Sequence, residues 1–535
     1  MSMNNSRRKF LELAPASLAV AALGSRQSAG VSSRQPGSSG DQRNQATHNV
    51  RSFGATGDGK TIDTPAINKA IEAATAAGGG VVLFPAGTYL CFSIHLKSKV
   101  TLYLDQGATI VAADSGPAGQ YDPAEPNQWD KFQDYGHSHW HNSLIWGEGL
   151  ENVSIVGPGL IWGRGLSRGS GREPPKAEDP GVGNKAISLK NCRNVLLRDF
   201  TISHGGHFGI LALAVDNFTI DNLTIDTNRD GIDIDCCRNV RVSNCSVNSP
   251  WDDGICLKSS FGLGYARATE MVTITNCFVS GFLEGSLLDA TYKRIPPREN
   301  VRPTGRIKFG TESNGGFKNI TISNCVFDYC RGLALETVDG GLLEDVTITN
   351  ITMREITNSP IFLRLGSRMR GPEGVPVGAL RRVIISNVMC SNSASSLGSI
   401  ISGIPGHEIE DVRLNDIYIE HQGGGSKEDA LGQPPENADK YPEPTMFGNT
   451  MPSHGFLIRH ARNIQLNNVE IACAKEDLRP AFVLEDVKGA DFTQIRMRQT
   501  TSLPVFSLKR VSEFSLVQSR PAQDVFLQSV EERKL

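Results

Sequence analysis

One octet returns nine times between residues 195 and 471, and it constrains the fold of this chain more than any other feature. It reads VLLRDFTI from 195, FTIDNLTI from 218, VRVSNCSV from 240 and VTITNCFV from 272. ITISNCVF follows from 320, VTITNITM from 346, VIISNVMC from 383, VRLNDIYI from 412 and IQLNNVEI from 464. Each alternates apolar and polar residues, is interrupted by a polar pair that usually holds Asn or Asp, and resumes. Period two marks strands with one buried face, and the polar pair marks a bend. The spacing, roughly 22 to 50 residues, excludes a helical repeat of fixed length. A chain of strand, bend, strand at this period stacks best as a solenoid, each turn burying its apolar side against the next. A right-handed parallel β-helix is therefore expected. A β-propeller is the alternative, but its blades would be more uniform and would contain hairpins. The recurring Asn is expected to form a ladder inside the bend, its amide bonding along the stack.

The ends of such a stack need covering, because an open strand edge pairs with other molecules. DTPAINKAIEAATAAGGG, from residue 63, supplies a helix with Asp63 and Thr64 as cap candidates, Pro65 at its first position and glycines at its end. It reads as a plug over the first coil. Upstream, NSRRKFLELAPASLAVAALGS carries Arg7, Arg8, Phe10 and Leu11 before a short apolar run. Residues 1–30 are expected to be a twin-arginine-type export signal, residues 31–47 a flexible linker, and residues 48–535 a single domain. The apolar run is too short to span a bilayer and no later stretch qualifies. A bacterial periplasmic or extracellular location follows. Eleven cysteines without a small-domain spacing suggest buried stacking thiols, and no structural disulfide is expected. A net charge of −3 with both signs mixed leaves no basic stripe for nucleic acid. A monomer with no cofactor and no metal ion is expected.

The chemistry concentrates in two coils, NRDGIDID and WDDGICLK. Aligning Ile232 with Ile255 and Ile234 with Leu257 gives an offset of 23 residues, one coil. Asp230 then lies beneath Asp253, with strands about 4.8 Å apart, and Asp252 is a separate carboxylate at the bend. Asp233 and Asp235 fall outside the core, level with Cys256 and Lys258, and Lys258 is expected to pair with Asp235. Three clustered acids repel, which raises at least one pKa. Such a trio suits glycoside hydrolysis, with one proton donor and a carboxylate pair holding water. Strand-end capping or a calcium site is the alternative.

NRDGID and DDGICLKS resemble the Asn-x-Asp and Asp-Asp motifs of glycoside hydrolase family 28, the polygalacturonase family, whose fold is the right-handed parallel β-helix. The opening NVRSFGATGDGKTIDTPAI, with GGGVVLFPAGTYL after it, resembles the start of pectin-active β-helix enzymes, and the likeness runs from about residue 48 to 470. The resemblance implies that Asp252 is the general acid, that Asp253 and Asp230 activate water, and that Asn228 helps orient them. It implies an inverting hydrolase acting on pectic polysaccharide or oligosaccharide. A polysaccharide lyase and a non-catalytic carbohydrate-binding β-helix are the competing readings.

Two further family motifs do not fit. A literal RIK at 306–308 lies one coil after Asp-Asp, in the slot where the family has His-Gly, and Thr304 or Gly305 stands where the histidine would be. The family's Arg-Ile-Lys slot is GLALETVDGG, which offers Ala334 and Glu336 instead. Arg306 and Lys308 are expected to face the cleft and bind a sugar carboxylate. Trp140, in YGHSHWHNS, is expected to touch sugar, and the His-x-His spacing beside it could bind zinc, although no further ligand follows. His207 is expected in a subsite, and the insertions 281–304 and 421–455 are expected to wall the cleft.

Overall fold

The computed structural model describes residues 47–134, 137–168, 179–296, 302–394, 396–498 and 504–535. The expected export signal and nearly all of the linker lie outside the described residues. The domain is a parallel β-helix built from short strands that pair with their counterparts one coil later. Strands Lys185–Lys190, Phe208–Leu213, Asp230–Asp235, Ile255–Ser259, Ile307–Ser313 and Leu333–Thr337 stack into one sheet. The octets form the next two faces: Arg193–Arg198, Asp216–Asp221 and Arg238–Ser243 stack before the bend, and Thr201–Ser203, Thr224–Asp226 and Ser246–Asn248 after it. Parallel pairing across every coil rules out the blades of a propeller.

Burial sets the register. Ile187, Ile210, Ile232, Ile255 and Ile307 form one inward column, and Leu189, Ala212, Ile234, Leu257 and Phe309 a second, all fully buried. A slip of one residue would turn both columns out of the core. Each large aliphatic side chain in them contributes about 1.5–3 kcal/mol relative to exposure.

The fifth residue of each octet explains the recurring Asn. Asp199, Asn222, Asn244, Asn276, Asn324, Asn350, Asn387, Asp416 and Asn468 all have φ between 52° and 71°. Asn and Asp tolerate this left-handed turn better than other residues with a side chain. Their amides do bond along the stack, as in Asn222 Nδ2 to Asp199 Oδ1 at 2.9 Å and Asn350 Nδ2 to Asn324 Oδ1 at 3.0 Å. The ladder lies on the surface, however, not inside the bend. The position after it is the buried one, and there Cys245, Cys277 and Cys325 stack. All eleven cysteines are free.

The helix spans Thr64–Ala76 and lays Ile67, Ala70, Ile71 and Ala74 over the first coil. Its cap differs from expectation. Asp63 occupies the cap position, but its carboxylate turns back to accept from the backbone N–H groups of Thr56 and Gly57 at 2.7 and 3.0 Å. Thr64 Oγ1 accepts from Phe92 N–H and so ties the helix to the coil below. At the other end, Val525–Lys534 runs antiparallel to Phe506–Val517 and covers the last edge. No helix among the described residues is long and apolar enough to cross a membrane.

Candidate active site

Stacking brings the aspartates together as the register requires. Gly231 N–H donates to Asp253 O at 3.0 Å, and Asp253 N–H donates to Asp230 Oδ1 at 3.2 Å and to Asp252 Oδ1 at 3.1 Å. One oxygen from each of Asp230, Asp252 and Asp253 falls within 4.8 Å of the others. They line a cavity of about 320 Å³ with Asp134, His137, His207, Arg229, Lys258, Lys308 and Tyr441.

The acids are electrostatically unequal. Burial alone would raise Asp253, but Lys308 Nζ at 3.2 Å and Arg306 Nε at 3.0 Å hold its carboxyl down at about 2. Asp230 makes no direct ion pair with a Lys or Arg among the described residues, and nearby Lys258 lowers it only in part. Burial, with the charges of Asp233, Asp252 and Asp253, pushes it well above the carboxylate range. Burial also lifts Asp233 to about 7, although Lys258 Nζ stands 3.4 Å away. Asp252, at the mouth, is ion-paired with Arg229 Nη2 at 2.7 Å.

Several expected contacts are different in kind. Lys258 does not pair with Asp235: it lies between Asp233 and Glu312, at 3.4 and 3.5 Å. Asp235 instead accepts from Ser260 N–H and Oγ–H, a closer pair of donors. Arg306 is 1% exposed and spends its guanidinium on Asp253 and on Glu443 from the 421–455 insertion, so it is not available to a sugar carboxylate. Lys308 does reach the cavity, yet it already contacts Asp253, and Tyr441 Oη lies 3.4 Å away. Glu336 is fully buried 3.9 Å from both cations, and burial pushes its carboxyl up to about 8. It lies beside the cations and does not line the cavity of the trio.

Trp140 is a second correction. It is fully buried against Phe208, Leu211, Leu213 and Cys236, leaving no face for a sugar ring. The residue of that loop that faces the trio is His137, whose Nε2 lies 3.8 Å from Asp230 Oδ2 while its Nδ1–H donates to Asp134 O. Burial lowers its pKa well below that of free histidine, as it does for His207 on the cavity wall. His139 and His141 turn to separate partners, Asp130 and Glu148, which dissolves the zinc pattern. Asn228 is half-buried and lies near Glu284 of the 281–304 insertion. Its carbonyl accepts from Trp251 N–H at 3.1 Å.

The histidine slot is closed for a steric reason. Gly305 has φ +56°, and a Cβ there would lie 2.1 Å from the Ser280 carbonyl oxygen. His137 reaches the aspartates from a loop instead. Asp134, Arg229, Glu312, Tyr441 and Glu443 were not singled out in the sequence. Of these, only Arg229, inside the NRD triplet, carried a local signal.

Insertions cover the sheet on both sides of the trio. Trp140 and its loop pack over Leu211 and Leu213. Phe447 and Met451 pack over Phe362, Ile400 and Leu457, while Arg364 and Arg459 hold the carbonyls of residues 434–437.

Known proteins agree with this architecture. Residues 47–136 match the family described as rhamnogalacturonase A/epimerase, pectate lyase-like, and residues 181–282 match the right handed beta helix region. The chain is 26% identical over 392 residues to a probable polygalacturonase of Vitis vinifera, covering 69% of this chain and 73% of that protein. It is 28% identical over 267 residues to the exo-poly-alpha-D-galacturonosidase of Dickeya chrysanthemi, covering 40% and 42%. The family 28 exopolygalacturonase of Yersinia enterocolitica superposes with a TM-score of 0.57 at 20% identity, over 89% of this chain and 79% of that one. The chain is a right-handed parallel β-helix that resembles polygalacturonases.

Proposed function

We propose that this chain is an inverting glycoside hydrolase that attacks pectin-type galacturonan from its chain ends. One observation carries the reading. Asp230, Asp252 and Asp253 converge within 4.8 Å in a single cavity, with Asp253 held down as a carboxylate and Asp230 pushed up by burial and its acidic neighbours. Asp252, at the mouth, is assigned as proton donor to the leaving oxygen, and Asp230 with Asp253 as the pair that takes a proton from water.

The proton count is consistent. Asp253 stays ionised beside Arg306 and Lys308. Hydrolysis requires one proton of the coupled trio to stand on Asp252, and exchange of that proton among the acids leaves the charge of the trio unchanged. Asp252 then protonates the glycosidic oxygen as its bond to C1 breaks. Water bonds to C1 from the opposite side and loses its proton to Asp230 and Asp253. The carboxylates are closer than the separations usual for either stereochemical class, so inversion rests on the family likeness. The insertions that cover the sheet on either side of the trio support attack at a terminus. Export to the periplasm or beyond, implied by the twin-arginine pattern, fits a polymeric substrate.

Purified protein incubated with pectic oligosaccharides, its products sized and their anomer read by NMR at early times, tests all three points. Small products of inverted configuration from the first minutes are expected. An unsaturated product absorbing in the ultraviolet would instead establish a lyase.

A further inference from the structure

Three cations line the cavity, and two of them are fully committed to buried acids. Lys258 sits between Asp233 and Glu312, and Lys308 on Asp253 with Tyr441 beside it. Arg229 is different. Its Nη2 donates to Asp252 at 2.7 Å, but its Nε is buried without a hydrogen-bond partner. Both members of that ion pair keep partial solvent exposure, at 33% and 26%, so the pair sits where a ligand enters. A guanidinium with an unused buried donor is matched by a planar, two-oxygen anion.

We propose that Arg229 reads the carboxylate of the incoming sugar by exchanging Asp252 for it, so that acidic sugars alone free Asp252 to act. This inference rests on the hydrolase reading above. In the empty site Arg229 Nη2 occupies Asp252 Oδ2 at 2.7 Å. A substrate carboxylate that draws Arg229 away frees that oxygen of Asp252 to meet the glycosidic oxygen. Substrate charge then governs the chemical step as well as binding. The other groups facing Arg229 are Asp230, His207 and Tyr441, and none supplies a second cation.

The test compares kcat/KM for oligogalacturonides with that for their methyl esters, in the full-length protein and in Arg229→Gln and Arg229→Lys. The wild type is expected to prefer the free acid. Arg229→Gln should lose about 30-fold or more on the acid and far less on the ester, collapsing the ratio. Arg229→Lys, which keeps the charge without the fork, should fall between, and it carries the same test if the Gln variant does not fold. An unchanged ratio in both variants, or a wild type that cleaves ester as fast as acid, overturns the inference and leaves the hydrolase reading standing. A wild type inert toward both substrates overturns the hydrolase reading itself, and this inference with it.

Discussion

Arg306 Nε meets Asp253 Oδ1 at 3.0 Å across two neighbouring coils, and both side chains are almost fully buried. The guanidinium therefore belongs to the protein's own carboxylate, and with Lys308 it fixes the charge of Asp253. Asp253 lies below its unfolded pKa, so its stabilising contribution is present above about pH 4 and is lost as pH falls toward 2. Arg306→Gln should raise the Asp253 pKa and move the acid limb of the activity profile upward. It should also destabilise the fold by about 3–5 kcal/mol, because Asp253 and Glu443 lose a buried partner. Rate profiles from pH 3 to 7 and urea melts check both effects; an unmoved acid limb would show that Lys308 suffices.

Asp252→Asn should reduce kcat by roughly 10²–10⁴-fold, the usual worth of a general acid, with little loss of stability because the carboxylate is partly exposed. Turnover of oligogalacturonide alongside a thermal melt distinguishes this from misfolding. Full activity in a folded Asp252→Asn protein would move the donor role to another acid.

Glu336 titrates in the opposite direction to Asp253. Burial raises its folded pKa to about 8 against an ordinary value of 4.5, so its contribution is complete below pH 4.5 and is lost as pH rises through 8. Asp233 and Glu284, both pushed up to about 7, act in the same window and sign. Wild-type Tm should fall between pH 5 and 8, and Glu336→Gln should flatten part of that fall. Parallel Tm curves for the two proteins would remove Glu336 from the account.

Trp140→Ala should cost about 3–5 kcal/mol, the penalty for emptying a large buried aromatic site. KM for the folded fraction should stay within about twofold, because the ring touches protein on all sides. A large KM increase without a fall in Tm would restore the sugar-contact reading of this residue.

The sequence determined the β-helix, its register and the column formed by Asp230 and Asp253. All three follow from period-two burial, which is a local property: apolar Ile232 and Ile255 must point inward, and their neighbours follow. Asn and Asp at the fifth octet position were equally legible, because a left-handed turn selects them one residue at a time. Tertiary structure alone decided which charges meet. Lys258 chose Asp233 and Glu312 over Asp235, Glu443 arrived from an insertion 137 residues beyond Arg306, and His137 reached Asp230 from a distant loop. Long flexible side chains have no period to betray their partners, and an ion pair depends on where distant loops close, which short-range sequence patterns do not encode.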